Sequence, residues 1–435
     1  MSVTFEIAPG GALTGTLRVP GDKSVSHRAV MLGALAAGDT TVDGFLEGAD
    51  SLATLAAFEA MGIAVEHPAP GRLVVHGRGL DGLRDPGRPL DLGNSGTSMR
   101  LLCGLLAGQR FDTTLVGDAS LSRRPMRRVT EPLARMGARI DATPDGTAPL
   151  TIHGGQPLHA IEYDMPVASA QVKSALLLAG LYADGVTRVS EPAPTRDHTE
   201  RMLTALGARV ERDGATVAVH GRPVLRGTAL TVPADISSAA FFLVGASLAP
   251  GSDLTLTGVG LNPTRTGVID ILRAMGADID VSNPREEGGE PVADLRVRGR
   301  PLRGIDIPEA LVPLAIDEFP VLFVAAACAE GTTTLRGAAE LRVKESDRIG
   351  VMAEGLAALG IDARPSDDGM TVVGGRLRGG HIDSHGDHRI AMAFAIAALR
   401  AEGTVTVSDC ANVDTSFPGF VASAAACGLR IVSRD

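Results

Sequence analysis

Only three of the 41 basic residues are lysines: Lys23, Lys173 and Lys344. All three fall inside polar motifs, VPGDKSVSHR, VASAQVKSA and RVKESDR. In a chain that uses arginine almost everywhere else, this points to places where a compact ammonium, not a planar guanidinium, is required. Lys23, with Ser24, Ser26 and Arg28, leads into an Ala/Leu/Met run that the pattern ends at Gly38. That order puts cations and hydroxyls at a helix N-terminus, where unpaired N–H groups and the helix dipole favour a bound phosphate or carboxylate. The arrangement recurs in NSGTSMRLLCGLLAG from Asn94, ASAQVKSALLLAG from Ala168 and DISSAAFFLVGASLAPG from Asp235. It recurs again in IDEFPVLFVAAACAEG from Ile316 and GDHRIAMAFAIAALRAEG from Gly386. One such start is a weak signal; six in one chain form a plan for holding anions. Asp317, at the head of the fifth, is by position either a helix N-cap or a base set against a buried helix. The spacing of four between Lys344 and Arg348 predicts that both lie on one helix face.

The elements that must position these residues are legible as a repeat. Each polar start turns into a small, apolar helix buried nearly all round, then passes through glycine into a strand such as TTTLRG or TVTVSD. A second helix follows, roughly Ser51–Met61 in the first repeat, closed by an apolar residue, a glycine and an alternating strand. The mark stands at Gly62, Gly137, Gly207, Gly276, Gly360 and Gly428, at intervals of 68 to 84 residues. Glycine suits the left-handed position that closes a helix, so each mark predicts a C-cap feeding a strand. The unit is βαβαββ, six times over. Three units per domain predicts an α/β protein of two similar domains. The first spans residues 20–233 and the second residues 1–19 with 234–435, and RVPGD and TVPAD serve as crossings. A solenoid of α/β repeats is the other arrangement such a period allows, but helices buried all round favour closed domains.

At 435 residues the chain exceeds one compact core. A net charge of −10, no Trp and 3% aromatic residues exclude nucleic acid and anionic membrane as expected partners. Cys103, Cys328, Cys410 and Cys427 are isolated from one another without CxxC or HxxxH spacing, so buried free thiols are expected rather than disulfides or a metal site. Met1 to Gly10 shows no signal-peptide pattern, and the apolar stretches Ala239–Ala249 and Val321–Ala329 are too short to span a bilayer. The expectation is a cytoplasmic enzyme or binding protein.

Taken in order, PGDKSVSHR, GNSGTSMR, GDASLSRRPM, VASAQVKSA, TRDHTERM, IDEFP, RVKESDR and GDHRIAM resemble the motifs of the enolpyruvyl transferases over essentially the whole chain. The resemblance implies two domains of three βαβαββ units, with buried parallel helices whose N-termini face an interdomain cleft. It implies transfer of the enolpyruvyl group of phosphoenolpyruvate to the 5-hydroxyl of shikimate 3-phosphate, a step toward chorismate and the aromatic amino acids, in a monomer without cofactor or metal. By resemblance, Lys23, Ser24 and Arg28 hold the substrates at the first helix, Lys23 touching both. Asn94, Gly96, Arg124, Gln171, Arg348 and Arg389 take phosphoenolpyruvate. Ser169, Gln171, Asp317 and Lys344 take shikimate 3-phosphate. Ala170 stands where many relatives carry a second serine, a loss for which Lys173 is the candidate compensation. Asp317 is the implied base for the 5-hydroxyl, with Glu318 structural, and Lys23 and Glu345 are the implied proton handlers. His388 is a candidate for acid/base support or a structural hydrogen bond. Arg196, Asp197 and His198 stand behind the contact residues or simply start a helix. Some herbicide-tolerant relatives carry alanine where Gly96 stands, which implies a glyphosate-sensitive site. Thr415 replaces a lysine found near the C-terminus in one branch. The branch acting on UDP-N-acetylglucosamine carries a cysteine where this chain reads GDASLSRRP, and no cysteine lies between Cys103 and Cys328. The remaining alternative is a non-catalytic anion-binding repeat protein, for which Asp317 is dispensable.

Overall fold

The computed structural model describes residues 3–434; Met1, Ser2 and Asp435, which the expected domain limits include, lie outside the described residues. The chain forms two units. One comprises Gly21–Val232 with the short stretch Glu287–Glu290; the other comprises the described residues up to Pro20, Pro233–Glu286 and those from Pro291 onward. Each unit carries three sheets and its own aliphatic core.

All six marker glycines have positive φ, from 86° at Gly360 to 114° at Gly428. Each closes a helix in the left-handed conformation that side chains avoid, and the chain then enters a strand. The second repeat shows the resulting topology. Leu90–Asp91 runs parallel to Thr113–Val116, which pairs antiparallel with Leu150–His153, which pairs antiparallel with Arg139–Asp141. The third repeat copies it with Glu162–Asp164, Val186–Ser190, Thr216–His220 and Val210–Asp213.

The first and fourth repeats take their opening strands from elsewhere in the chain. Thr14–Leu17, which precedes the Lys23 helix, lies parallel to Asp253–Leu256 in the fourth repeat. Ala229–Thr231, which precedes the Asp235 start, lies parallel to Thr41–Asp43 in the first. The extended run before Lys23 therefore does not belong to its own repeat. The sixth repeat is completed by Thr4–Ile7, which sits between Val405–Ser408 and Ile431–Arg434. In the fifth, an isolated parallel bridge from Asp306 to Thr334 replaces the opening strand beside a three-stranded sheet.

The opening helices are buried because each, past its polar first turns, is apolar on every side. All thirteen residues of Ile236–Leu248 are buried, as is Val25–Leu35 within Lys23–Leu35. Close packing needs glycine at one point: a Cβ on Gly104 would lie 2.0 Å from the Ala175 carbonyl oxygen of the neighbouring helix. The first helix ends at Leu35, not Gly38, because the chain turns extended at Ala36; Gly38 lies within the strand Ala37–Asp43. The four cysteines are free, three of them buried, and burial pushes the thiols of Cys103, Cys328 and Cys410 up to about 12. Among the described residues no helix is long and apolar enough to cross a membrane.

Candidate active site

Two polar clusters form where the opening helices begin, one in each unit. In the first unit, Asp22, Ser95 and Ser169 cap three of these helices, accepting from the N–H groups of Val25, Ser98 and Val172. Capping satisfies one donor per helix and leaves neighbouring N–H groups for a ligand. Lys23, the first residue of its helix, forms an ion pair with Asp50, which lies in the first turn of Ala49–Ala60. Arg28 is buried and braced: Nε donates to Thr199 Oγ1 at 2.7 Å, Nη2 to Ser174 Oγ at 2.9 Å and Nη1 to the Ser24 carbonyl at 2.9 Å. Burial lowers its pKa to about 10, which leaves it a cation at neutral pH.

Arg124 donates through Nη2 to Asn94 Oδ1 at 2.7 Å and through Nη1 to the Asn94 carbonyl at 3.3 Å. Asn94 is fixed in turn by donating to Asp118 Oδ2 at 2.7 Å. Gln171 accepts from Arg100 Nη1 at 2.8 Å and donates to Thr97 Oγ1 at 3.1 Å. The structure thus draws Asn94, Gly96, Arg124 and Gln171 together and adds Arg100, which sequence reasoning did not single out. Its signal was available: Arg100 follows Gly96 by four residues in a helix, and helical side chains lean back toward the N-terminus. Asp50 was also missed, because a counter-charge from another helix leaves no local pattern.

Lys173 does not compensate for Ala170. Its ammonium is fully buried between Glu191 at 2.9 Å and Glu200 at 2.7 Å, which makes it a core ion pair. His198 is equally inward, with Nδ1 2.7 Å from Glu290 Oε1, and Asp197 pairs with Arg201 at 2.9 Å.

In the second unit Arg348 organises the cluster at 1% side-chain exposure. Nε donates to Asp387 Oδ2 at 2.9 Å, Nη2 to Glu345 Oε2 at 2.5 Å and Nη1 to Asp317 Oδ1 at 3.4 Å. Burial alone would lower its pKa, but Asp387, Glu345 and Asp317 outweigh that and hold it above the usual guanidinium value. Burial pushes the Asp387 carboxyl up; the Arg348 charge more than offsets this and leaves it below the usual carboxylate range. Asp387 also caps its helix by accepting from the Arg389 N–H at 2.9 Å. Arg389 Nη1 donates to the Asp317 carbonyl at 3.1 Å. Lys344 Nζ lies 3.4 Å from Asp317 Oδ1 and 2.9 Å from Glu340.

Asp317 is not the N-cap. That position falls to Glu318, which makes no side-chain cap bond and instead is buried against Ser237 and Arg265. Asp317 is left with its Oδ1 turned to two cations. Lys344 and Arg348 are not on one helix face: Lys344 ends the short turn Ala339–Val343, and Arg348 begins the helix Arg348–Ala358. The non-helical residues between them are what let both reach one carboxylate oxygen. His388 hydrogen-bonds Ser416 Oγ at 2.9 Å, and Thr415 Oγ1 donates to the Asn412 carbonyl at 2.6 Å, so the TSFP segment holds its own turn together and braces His388. Among the described residues no three His, Cys, Asp or Glu side chains are grouped to hold a metal ion.

The sequence profile of the EPSP synthase (3-phosphoshikimate 1-carboxyvinyltransferase) family matches residues 7–423. A 3-phosphoshikimate 1-carboxyvinyltransferase from Alkalilimnicola ehrlichii is 69% identical over 432 residues, 99% of this chain and 97% of the relative. One from Methylococcus capsulatus is 67% identical over 429 residues, covering 99% and 98%. Among solved structures, the EPSP synthase of Acinetobacter baumannii aligns with a TM-score of 0.90 at 55% identity, covering the whole of both chains. The enolpyruvyl transferase NikO of Streptomyces tendae aligns at 0.78 with 19% identity, covering 100% of this chain and 99% of the other, a likeness of fold alone.

Proposed function

The chain belongs to the EPSP synthase (3-phosphoshikimate 1-carboxyvinyltransferase) family, and we propose that its two clusters divide the work of that reaction. The 5-hydroxyl oxygen of shikimate 3-phosphate bonds to C2 of phosphoenolpyruvate while a proton adds to the methylene carbon. The tetrahedral adduct then loses phosphate, and a proton leaves the new methyl group to restore the vinyl ether. Asp317 takes the hydroxyl proton, and Lys23 and Glu345 handle the proton at carbon. Lys23, Asn94, Gly96, Arg124, Gln171, Arg348 and Arg389 receive phosphoenolpyruvate. Lys23, Ser24, Arg28, Ser169, Gln171, Asp317 and Lys344 receive shikimate 3-phosphate. Both substrates are polyanions, so cations and helix starts in each cluster offset the charge that the reaction brings together. The protein acts as a cytoplasmic monomer without cofactor, and glyphosate competes for the phosphoenolpyruvate contacts.

The observation that carries this reading is Asp317. Asp317 lies outside the N-cap position, with one carboxylate oxygen 3.4 Å from both Lys344 and Arg348, and this supports reading it as a group that meets substrate rather than one that ends a helix. Asp317→Asn keeps the shape and removes the base. It is expected to lower kcat by about 10²- to 10⁴-fold, the usual worth of general-base catalysis, with shikimate 3-phosphate still bound in a calorimeter. Wild-type turnover by Asp317→Asn would remove Asp317 as the base, and no turnover by the unaltered chain would return it to the non-catalytic reading.

A further inference from the structure

A buried polar chain that the proposed reaction does not use runs beneath the first cluster. His27, Thr54, Ser98 and Ser95 are each at most 1% exposed. Thr54 Oγ1 donates to the Asp50 backbone carbonyl at 3.3 Å. A hydroxyl has one proton, so toward its other neighbours Thr54 can only accept. Ser98 Oγ, 2.5 Å away, must donate to it; Ser95 Oγ, 2.7 Å from Ser98 Oγ, donates to Ser98 in turn. His27 Nδ1 lies 2.8 Å from Thr54 Oγ1 and 3.2 Å from Ser98 Oγ; with both hydroxyl protons committed in this arrangement, Nδ1 is the donor to both. This assigns the Nδ1–H tautomer and leaves Nε2, which has no hydrogen-bond partner among the described residues, as a bare acceptor. Burial, with the charges of Lys23 and Arg28, keeps the imidazole pKa well below the usual histidine value, in line with a neutral ring.

The chain has ends that matter. Ser95 is the N-cap of the Gly96 helix, and Asp50 is the ion-pair partner of Lys23. Resting on the substrate assignments above, we infer that His27 is a positioning residue for phosphoenolpyruvate: through Thr54 and Ser98 it locks the Lys23 helix start to the Ser95–Gly96 turn. Ser24, Arg28 and Ser169 make none of these hydrogen bonds, whereas Ser95 makes one of them directly, so the larger effect falls on phosphoenolpyruvate.

The test is steady-state phosphate release by the full chain, with each substrate varied in turn, for His27→Leu, His27→Asn and Thr54→Val, alongside thermal unfolding. His27→Leu removes the donor and is expected to raise KM for phosphoenolpyruvate about tenfold, the worth of one or two hydrogen bonds, with KM for shikimate 3-phosphate within about twofold. Asn carries an amide N–H near the Nδ1 position, so His27→Asn is expected to restore KM to within about twofold. Thr54→Val breaks the chain from the other side and is expected to act like His27→Leu; it decides the matter if His27→Leu does not fold. The inference is overturned if Thr54→Val keeps the wild-type KM for phosphoenolpyruvate, if both KM values rise together, or if His27→Asn and His27→Leu are equally impaired. If the unaltered chain itself releases no phosphate, it is the substrate assignment that fails.

Discussion

Gly96→Ala offers a perturbation whose size can be worked from distances. The added Cβ would stand 2.8 Å from Arg100 Nη1 and 3.0 Å from Arg124 Nη1, where ordinary contact begins at 3.4 Å. Gly96 begins a right-handed helix, so the backbone accepts alanine without strain, and the cost falls on the two guanidinium groups. Each must withdraw by about half an ångström. The Arg124 Nη1 bond to the Asn94 carbonyl, already 3.3 Å, is then lost, and the 2.8 Å Arg100–Gln171 bond is strained. Losing one hydrogen bond to a charged group costs about 1.5–3 kcal/mol, which at 1.4 kcal/mol per decade is about 10- to 100-fold in affinity. The expected result is a rise of that size in KM for phosphoenolpyruvate, with kcat and KM for shikimate 3-phosphate nearly unchanged, and weaker inhibition by glyphosate. Melting temperature should fall slightly, since the lost hydrogen bond outweighs the up to about 1 kcal/mol that alanine adds as the better helix former. The assay is phosphate release with phosphoenolpyruvate varied at saturating shikimate 3-phosphate. An unchanged KM for phosphoenolpyruvate, or an equal rise for both substrates, would refute the placement of Arg100 and Arg124.

Lys173→Met should leave Glu191 and Glu200 buried without their ammonium and cost about 3–5 kcal/mol of stability, read as a lower denaturant midpoint with both KM values retained; a midpoint like wild type would contradict the core ion pair. His76 and His153 titrate on the sheet surfaces of the first unit. The hydrogen bond that His76 donates to Asp39, and that His153 donates to Asp141, raises each imidazole pKa above the usual value. A raised folded-state pKa contributes stability that is full below the unfolded value of about 6.5 and is lost as pH rises through the folded one. Stability should therefore fall as pH rises above about 6.5, less so in the His76→Asn/His153→Asn double variant, and NMR midpoints for both rings should lie above about 6.5. Midpoints at or below that value would remove the effect.

The α/β repeat was legible because its punctuation is local. A glycine at a helix end reports a left-handed φ from its own sequence neighbourhood, and all six such marks close helices. Strand exchange was not legible. Nothing in Thr14–Leu17, Ala229–Thr231 or Thr4–Ile7 states which strand it will lie beside, since pairing is decided by partners as far away along the chain as Arg434 is from Thr4. The polar starts could be read for the same reason as the glycines: caps and helix ends are written in a few adjacent residues. Their counter-charges could not, because Asp50 reaches Lys23, and Asp387 reaches Arg348, from other elements. Lys344 and Arg348 show the limit of spacing arguments. Four residues apart suggests a shared helix face, but the intervening turn puts them on different elements that meet at Asp317. Lys173 shows another, since a lysine inside a polar motif proved to be an inward ion pair.

The central claim is that the two clusters serve one transfer between two phosphorylated acids. The most direct measurement is phosphate release from phosphoenolpyruvate by the pure chain, with and without shikimate 3-phosphate. Release that requires shikimate 3-phosphate and is not supported by UDP-N-acetylglucosamine is the predicted result. No release with shikimate 3-phosphate, or equal release with UDP-N-acetylglucosamine, would contradict it.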